Sequence, residues 1–530
     1  MSKFSDDAFE YIAPIICIGS IVLMPLGPLF FPRIWILSLA FYFAIFLSTQ
    51  CNHLLTFHKT AQRIKETIVQ HRKRAAFEND YLIHAFVIPN YSEPEVLIKD
   101  TIRRIALHKN ARTNYAIILA MEASEVNHRS KAENLKEYFK EQFFRFIVTN
   151  HPSDLPGEAR GKGSNISYAA RKGCAELMES GIKKDRILIT IADSDSHIPE
   201  LYVSEVTKAF NRSEDPYYQV YAPPIFFGRN CFNVPAAVRV TDITWSAMIM
   251  SNLSGGRGIG FPCSTYTVSC KLADQVGYWD TDADAVGEDM HMFLKCIFKT
   301  KGRTRLTPIF VPINLTDVET PAEEGYFANL MARFVQAKRH YNGVADVAYT
   351  LRLALGLPTF CVDANSRGRS SSSWLIDKII IVLKVLETHF IPVTSGWLMF
   401  LGVPIMQFIL FPPREYGIGP FVDDAANPIL YSSFYSHLWD SLKITTILLP
   451  FPLFGTLYVY EKLHRFVDIE FLGKTKNETR TWKNYFDYVS MPMAAWMFMT
   501  LPSNIASVKR LFKARDQYVV AEKSFMETRV

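Results

Sequence analysis

The sequence predicts an α/β domain with a mostly parallel sheet, flanked on both sides by transmembrane and interfacial helices. In the central part of the chain, short apolar runs alternate with helical patterns, which is typical of parallel α/β sheets. Both ends of the 530-residue chain instead carry long apolar segments. The mean hydropathy of +0.05, with 49% hydrophobic residues, is high for a soluble protein. Together these observations favour a membrane protein with one large domain outside the bilayer.

Two apolar segments near the N-terminus predict a transmembrane hairpin over residues 1–52. Residues 11–31 and 34–51 carry no charge, and each is close to the roughly 20 residues that cross a hydrocarbon core. A basic juxtamembrane helix is predicted over 53–79. Such a cluster marks the cytosolic side of a membrane, where it can rest on anionic lipid. Its cationic residues are Lys59, Arg63, Lys65, Arg72, Lys73 and Arg74.

A single large domain is predicted over residues 80–350, in the cytosol. Its apolar runs predict strands at 82–88, 115–121, 144–149, 186–192, 217–222 and 308–312. The patterns between them predict helices at 94–109, 128–142, 163–180, 199–211, 269–276, 288–299 and 324–341. Because strands alternate with helices, we expect most neighbouring strands to be parallel.

The chain after this domain is predicted to return to the membrane. A polar linker is expected over 351–373, where consecutive serines follow two arginines. Interfacial and transmembrane helices are expected over 374–506, and a basic cytosolic tail over 507–530.

Charged residues distinguish the kinds of helix expected in this C-terminal part. Residues 375–390 carry acidic and basic side chains, which are costly at mid-bilayer, so we expect an amphipathic helix at the interface. Residues 391–411 and 442–460 are better transmembrane candidates. The apolar run 489–506 has basic residues on both sides, which favours a re-entrant or interfacial segment. We therefore predict four spans in all, with six as the alternative.

Net charge and cysteine spacing exclude several other classes of protein. The net charge of +6 is explained by the juxtamembrane clusters, so a nucleic-acid-binding function has no further support. The 8 cysteines show no spacing typical of zinc sites or of a disulfide framework. We therefore expect membrane lipids as partners and no nucleic acid.

An acidic pair follows one of the predicted buried strands. Asp193 and Asp195 come directly after the apolar run from Arg186 to Ala192. Two carboxylates at the carboxyl edge of a strand can hold Mg²⁺ or Mn²⁺ against a diphosphate, because these ions prefer oxygen ligands. The alternative is a helix cap and a turn, where aspartate is also common. We favour the metal site.

A second acidic pair, Glu288 and Asp289, opens the helix predicted at 288–299. Acidic residues are common in a first helical turn, because they interact favourably with the helix dipole. A carboxylate there can also act as a general base toward a bound acceptor. A third signature, from Gln336 to His340, carries a lysine and an arginine that either lie on a solvated helix face or neutralise a diphosphate.

The ordered set of these signatures resembles the membrane-embedded family 2 glycosyltransferases, which include cellulose, chitin and hyaluronan synthases. The resemblance runs from about Tyr81 to Val347, and the flanking spans extend it to nearly the whole chain. His340 departs from the family pattern, which has tryptophan at that position. The other matching stretches run from Ala85 to Glu93, Arg160 to Asn165, Gly260 to Thr265 and Gly277 to Asp280.

The resemblance implies a nucleotide-sugar-binding domain of the GT-A-like type. Trp279 and His340 would lie on the side of the acceptor. The residues that would bind the donor are Asn90, Glu93, Glu122, Lys162, Asp193, Gln336, Lys338 and Arg339.

The chemistry that the resemblance implies is direct displacement at the anomeric carbon of the sugar, with inversion. Asp289, with Glu288 beside it, would deprotonate the acceptor hydroxyl as a general base. Mn²⁺ or Mg²⁺ on Asp193 and Asp195 would neutralise the departing nucleoside diphosphate. Arg339 would stabilise the same leaving group electrostatically.

Three functions are compatible with these features. The first is a metal-dependent transferase that adds sugars from a nucleotide-sugar donor, with UDP-sugars favoured, to a growing glycan, as a polysaccharide synthase does. The second is a non-processive enzyme that transfers one sugar to a lipid acceptor such as a polyprenyl phosphate or a sphingolipid. The third is a membrane scaffold or channel without activity, against which the intact acidic set argues. The plasma membrane is favoured, with the Golgi and the endoplasmic reticulum as alternatives.

Overall fold

The computed structural model describes residues 8–71, 81–356 except 283 and 286, 370–411 and 427–512. The predicted cations Arg72, Lys73 and Arg74, linker residues 357–369 and tail residues 513–530 lie outside this part. The strands are β1 Ile83–Asn90, β2 Tyr115–Glu122, β3 Arg145–His151, β4 Ile187–Ile191, β5 Gln219–Ala222, β6 Ile225–Phe227, β7 Tyr266–Ser269, β8 Arg305–Pro308 and β9 Ile313–Leu315.

The helices surround this sheet and extend beyond it at both ends of the chain. Before and within the domain they are α1 Ile12–Phe30, α2 Pro32–His71, α3 Glu95–Ala106, α4 Ala111–Asn114, α5 His128–Phe139, α6 Lys162–Glu179, α7 Glu200–Arg212, α8 Ala236–Leu253, α9 Cys270–Gln275, α10 Glu288–Lys299, α11 Gly325–Tyr341 and α12 Ala345–Ala354. After it come α13 Ser371–Trp397, α14 Val403–Leu410, α15 Ser433–Leu448, α16 Pro450–Glu470, α17 Met491–Ala495 and α18 Leu501–Leu511.

Seven strands form one sheet in the order β3-β2-β1-β4-β7-β5-β8, and β6 and β9 form a separate two-stranded sheet. Strands β1 to β4 are parallel to one another, whereas β7 runs antiparallel between β4 and β5. Every residue of β1, β2 and β4 is buried, as expected for strands covered by helices on both faces. The predicted fold class, a mostly parallel α/β sheet with apolar helices at both ends, is confirmed.

The carboxyl ends of the central parallel strands meet at one edge of the sheet. The register pairs Asn90 of β1 with Met121 of β2, and Val87 of β1 with Ile191 of β4. Glu122 ends β2, and Asp193 follows β4 by two residues, so both emerge at this edge. Ligands of open α/β sheets bind outside the carboxyl ends of the strands.

The strand predicted at 308–312 is misplaced. Strand β8 ends at Pro308, β9 begins at Ile313, and the residues between them are irregular. Pro308 and Pro312 have no amide hydrogen, so a strand through both could not be hydrogen-bonded along its length. Strand β7 and helix α8 are not indicated by the sequence pattern. Helix α8 is buried on nearly every side and therefore lacks a one-sided apolar stripe.

Within the described residues, four helices are long and apolar enough to cross a membrane, by length and composition. This number equals the predicted count of four spans. Helix α2 continues without a break through the predicted boundary between the hairpin and the juxtamembrane helix at residue 52. The apolar run 489–506 is not in this set, although its residues from Met491 onward are helical without a gap. The four candidates are Phe9–Phe30, Pro32–His71, Ser371–Leu410 and Ser433–Glu470.

The segment 375–390 is not a separate helix, although its charges predict one at the interface. It is the first part of a continuous helix that runs from Ser371 to Leu410. Three of its charged side chains, Asp377, Lys384 and Glu387, have partners from elsewhere in the protein. Asp377 pairs with Arg257 at 2.6 Å and with Arg305 at 2.6 Å. The charges therefore join this helix to the α/β domain.

Candidate active site

Four segments bring polar side chains together at the carboxyl edge of the sheet. Asp193 follows β4, Lys162 begins α6, and Ser264 precedes β7. Helix α10 begins with Glu288 and Asp289, so both carboxylates lie in its first turn. Four of these five residues are predicted site residues. Ser264 was not predicted as a site residue. We call these five residues the carboxylate cluster.

Lys162 and Ser264 hold the three acidic side chains of the cluster together. The ammonium group of Lys162 lies 2.7 Å from Oδ1 of Asp193 and also pairs with Glu288. The hydroxyl of Ser264 donates to Oδ2 of Asp193 at 2.6 Å, and its amide donates to Oδ2 of Asp289 at 3.0 Å. The backbone of Ser264 is left-handed, with φ of 60°. This conformation is uncommon for a residue with a side chain, and such residues are concentrated at functional sites.

Glu288 and Asp289 are adjacent in sequence but differ in environment. Glu288 is buried, and burial raises the pKa of its carboxyl to about 7, with Lys162 opposing the rise and Asp289 adding to it. Asp289 is partly exposed and accepts the amide hydrogens of Ser264 and Met290. Asp289 is therefore the more accessible of the two carboxylates. Glu288 is buried beside Lys162 and pairs with its ammonium group.

Lys162 remains a cation despite its position among these groups. Burial acts to lower the pKa of its ammonium group, but the carboxylates of Asp193 and Glu288 outweigh burial and raise the pKa well above its usual value. A fixed positive charge therefore lies between two carboxylates at the edge of the sheet, where a phosphate group could interact with it.

Asp195 is more enclosed than Asp193. Its side chain is buried, its Oδ2 accepts the amide hydrogen of Thr316 at 3.0 Å, and its main-chain oxygen accepts from Arg229. Among the described residues, no three His, Cys, Asp or Glu side chains form a group that could hold a metal ion. Asp193, whose side chain is 28% exposed, still offers an oxygen ligand of the kind that Mg²⁺ or Mn²⁺ shares with a diphosphate. The residues therefore fit a metal that takes its other ligands from a substrate and water.

The last turns of α11 carry the predicted Gln336-to-His340 signature. His340 is exposed and interacts electrostatically with two members of the carboxylate cluster, Asp193 and Lys162. Gln336 and Arg339 are partly exposed. Lys338 lies over the ring of an aromatic residue on its own helix, Phe334, at 5.5 Å. Of these residues, His340 has an electrostatic interaction with the carboxylate cluster.

A buried ion pair positions α11 in the domain. Arg333 donates to Oδ1 of Asp242 on α8 at 2.7 Å, and both side chains are almost completely buried. Burial raises the pKa of the neighbouring Asp317 carboxyl well above its usual value, and its interaction with Asp242 adds to the rise. The sequence pattern did not indicate Arg333, because its partner is distant in the chain.

The predicted donor residues Asn90, Glu93 and Glu122 lie at the ends of β1 and β2. Asn90 donates from Nδ2 to Glu125 at 2.8 Å. Glu93 accepts a main-chain amide hydrogen from two residues earlier at 2.6 Å. Glu122 is hydrogen-bonded to Nδ1 of His151 at 3.1 Å. Each of the three is thus fixed at the sheet edge by its own contact, and Glu125 and His151 are neighbours that the sequence did not indicate.

The prediction that Trp279 contacts an acceptor is wrong. Its side chain is 2% exposed, and its indole nitrogen donates to the hydroxyl of Tyr266 at 2.6 Å. Its main-chain oxygen accepts from Ser167 of α6. Trp279 therefore packs in the core beneath the site and supports β7 and α6 instead of facing a ligand.

His291 joins the start of α10 to two other parts of the domain. Its Nδ1 lies 2.5 Å from Oδ1 of Asp346 on α12, and its Nε2 lies 3.0 Å from Oδ2 of Asp280. Burial acts to lower the pKa of His291, but Asp346 and Asp280 outweigh burial and raise the pKa to about 10. Lys295 also pairs with Asp280 at 2.5 Å. The protonated imidazole therefore fixes the helix that carries Glu288 and Asp289.

Comparison with protein families agrees with this arrangement. Residues 188–413 match the family model described as glycosyl transferase family group 2. This match begins in β4 and contains the carboxylate cluster except for Lys162, together with the whole of α11. The protein is therefore a glycosyltransferase. The match is to the family 2 group, which is the resemblance that the sequence predicted, and the four apolar helices among the described residues agree with a membrane-embedded enzyme of this kind.

No curated protein sequence matches the chain. Among solved structures, the mannosyltransferase PcManGT from Pyrobaculum calidifontis, in complex with GDP-Man and Mn²⁺, matches with a TM-score of 0.40 and 14% identity over 78% of this chain and 97% of the other. A mycobacterial protein matches with a TM-score of 0.31 and 11% identity over 56% and 79%. GalNAc-T7 with UDP, GalNAc and Mn²⁺ matches with a TM-score of 0.33 and 9% identity over 59% of each chain. These scores are too low to establish a shared fold, so the assignment depends on the family match and the sheet.

Proposed function

We propose that this glycosyltransferase transfers a sugar from a nucleotide-sugar donor, with UDP-sugars as first candidates, to a growing glycan at the cytosolic membrane face. The observation that carries the proposal is the carboxylate cluster. It combines a partly exposed carboxylate, Asp289, with a fixed cation, Lys162, at the edge of the sheet where ligands bind.

Asp289 is the proposed general base. The amides of Ser264 and Met290 orient its carboxylate at the first turn of α10. In this role it removes the proton of the acceptor hydroxyl while that oxygen attacks the anomeric carbon, and the nucleoside diphosphate leaves from the opposite face with inversion. Glu288, buried and paired with Lys162, sets the charge beside this base and is not itself exposed to the acceptor.

Charge balance in the cluster supports a divalent cation. Three carboxylates there face one lysine, and a donor diphosphate would add more negative charge. Like charges confined to one site repel strongly unless cations neutralise them. We assign Mn²⁺ or Mg²⁺ to Asp193, supported by Asp195, where it would stabilise the leaving diphosphate. Arg339 of α11 is the proposed protein cation for the same leaving group.

The other donor contacts are assigned along the same edge of the sheet. Asn90, Glu93 and Glu122, which are fixed at the ends of β1 and β2, are the proposed contacts to base and ribose. Gln336 and Lys338 of α11 are the proposed contacts on the phosphate side. The catalytic domain comprises residues 80–350 in this proposal.

A lipid acceptor is the second candidate, and His340 supports it. An exposed imidazole at the end of α11 offers a bound sugar chain less stacking area than an indole would. An enzyme that does not hold a polymer would transfer one sugar to a lipid such as a polyprenyl phosphate or a sphingolipid. In either case the basic half of α2 supports a cytosolic domain, and the plasma membrane remains the first location to test.

The test uses the purified full-length protein in detergent with a panel of UDP- and GDP-sugars. Each donor is supplied with Mn²⁺, with Mg²⁺ or with EDTA, and products from glycan and lipid acceptors are sized by mass spectrometry. We expect turnover of one donor that depends on a divalent metal. Turnover that persists in EDTA would contradict the metal assignment, and folded protein that turns over no nucleotide sugar would contradict the proposed reaction.

A matched pair of variants separates the site from general damage to the protein. Asp193→Asn should lower metal-dependent turnover at least tenfold, the loss typical of a disturbed metal site. Asp274→Asn removes a carboxylate from an exposed pair with Lys184 and should leave turnover unchanged. Equal turnover in both variants would argue against Asp193 as a ligand.

A further inference from the structure

A half-open cavity lies outside the carboxylate cluster, between the second half of α2 and the loop that follows α8. Its volume is about 610 Å³. Helix α2 lines one side of the cavity. The other side is lined by Asn252 to Gly255, Gly258 and Ile259, with Leu306, Pro308 and Phe310 as its apolar part. Thr60 of α2 joins the two sides, because its hydroxyl lies 2.7 Å from that of Ser254 and donates to the main-chain oxygen of Met250.

The α2 side of the cavity is basic. Lys59 and Arg63 are one helical turn apart and therefore share a face of α2 with Gln62 and Glu66. Glu66 is the one acidic residue of the lining, and its exposed contact with Arg63, at 4.0 Å, neutralises little charge. Lys384 of α13 adds a cation beside the cavity, since its ammonium group donates to Oδ1 of the lining residue Asn252 at 2.9 Å.

The opposite side is a glycine-rich loop, Ser254-Gly255-Gly256-Arg257-Gly258. Arg257 and Gly258 are both left-handed, with φ of 66° and 64°. Turns of this kind can aim successive main-chain amides at one anion, as in the concave anion sites of other proteins. The guanidinium of Arg257 is bound to Asp377 and Ser373, which fixes the loop. The cations Lys59 and Arg63 on α2 thus lie across the cavity from the glycine-rich loop.

The course of α2 places this cavity at the membrane boundary. The segment of α2 that is predicted to cross the membrane ends at Cys51, and the helix continues without a break to His71. Lys59 is the first Lys, Arg, Asp or Glu residue after Cys51. At about 1.5 Å per residue, Lys59 lies roughly 12 Å beyond that point. Headgroups occupy about 5–7 Å outside the hydrocarbon core, and a lysine side chain can extend several ångströms back toward them. The membrane end of the cavity is therefore within reach of a lipid phosphate.

We propose that this cavity binds the phosphate-bearing headgroup of an anionic lipid. Lys59 and Arg63 contact the phosphate, and the loop from Ser254 to Gly258 closes around the headgroup. The apolar part formed by Leu306 and Phe310 packs against its carbon atoms. The bound lipid fixes α2, α8 and the start of α13 relative to one another, because all three contribute side chains to this region.

The test measures lipid retention by the full-length protein in detergent with native mass spectrometry. The probes are phosphatidylserine, phosphatidylinositol phosphate and, as the neutral reference, phosphatidylcholine. The test variant is Lys59→Glu/Arg63→Glu. The matched control is Arg129→Glu/Lys136→Glu on α5, which makes the same charge change on another exposed helix. We expect the test variant to bind the anionic lipids roughly 30-fold more weakly, as two lost headgroup contacts predict, and the control to bind them like the unmodified protein.

A second variant adds a negative charge without removing a side chain. Gln62 lines the cavity and is exposed, so Gln62→Glu keeps the size of the side chain, should fold normally and should still weaken anionic-lipid binding. Equal affinity for anionic and neutral lipid, or equal losses in the test and control variants, would overturn the proposal. Inorganic phosphate is the remaining probe: complete displacement of lipid by millimolar phosphate would assign the cavity to a soluble anion and overturn the lipid assignment.

Discussion

Two carboxylates of this protein are neutralised in opposite ways. Glu288 at the candidate active site shares a single cation, Lys162, with Asp193. Asp377, at the junction between the α/β domain and the membrane helices, has two arginines within 2.6 Å. The site thus contains more carboxylates than cations, and the junction contains more cations than carboxylates.

This difference distinguishes a site that can bind a cation or ligand from an ion pair that only joins two structural elements. A carboxylate with a full set of cations and hydrogen bonds fixes two elements and has little charge left for a ligand. The carboxylate cluster instead retains negative charge, which favours an incoming cation. Burial raises the pKa of its most buried member, Glu288, and the neighbouring Asp289 carboxylate adds to the rise. Changes at the two places should therefore have opposite effects on activity and on stability.

The largest effect is expected at Asp289. Asp289→Asn keeps the size of the side chain and much of its hydrogen bonding but cannot accept a proton at neutral pH. We expect kcat to fall by about 10²–10⁴-fold, as for a lost general base, while donor affinity changes little. Single-turnover kinetics and donor binding by calorimetry would measure the two separately. A proportional loss of donor affinity would make Asp289 a binding residue instead.

The next largest effect is expected on the free energy of unfolding, which should change differently when Asp377 or Glu288 is neutralised. Asp377→Asn leaves Arg257 and Arg305 without their shared anion and should cost about 3 kcal/mol, with turnover per folded molecule unchanged. Glu288→Gln removes a carboxylate from a site with too many and should cost little stability or increase it. Thermal unfolding in detergent measures both. Similar losses in the two variants would show that charge imbalance does not distinguish the site from the junction.

The sequence predicted the acidic residues of the site better than the contacts between its side chains. Asp193, Glu288 and Asp289 could be predicted because each stands at the end of an apolar run or the start of a helical one. Ser264 could not, since its importance depends on a left-handed backbone and on two carboxylates distant in the chain. Trp279 was misassigned because an aromatic residue beside a motif has the same pattern whether it faces a ligand or the core.

For the apolar helices too, the sequence predicted the elements better than their contacts. Length and the absence of charge predicted four apolar spans, and four helices of sufficient length and apolarity are present in the described residues. The charges of 375–390 predicted a separate helix, because the sequence does not show which partners a charge will find. Arg257 and Arg305 supply those partners for Asp377. Likewise, α8 gave no helical signal because its burial is not one-sided.

A smaller effect is expected on the pH dependence of donor binding. The pKa of Glu288, raised by burial to about 7, means that its carboxyl is protonated below pH 7 and ionised above it. Ionisation adds a negative charge beside Lys162, so donor KM should rise as the pH increases through about 7, by about three- to tenfold. Glu288→Gln stays neutral, so its KM should remain low and lack this step. A step that persists in the variant would assign the titration to another group.

Substitution of His340 is expected to have the smallest effect on the rate of donor turnover but to change the length of the product. This side chain is exposed at the end of α11, and the proposal places it on the side of the acceptor. His340→Trp adds aromatic area on which a sugar can stack. Donor hydrolysis should stay within about twofold of the unmodified enzyme, whereas products should become longer than the short chains or single transfers expected for the unmodified protein. Mass spectrometry of products made under equal donor turnover measures this difference. Long polymer from the unmodified protein would show that the membrane helices, and not the residue at position 340, determine how long the product is held.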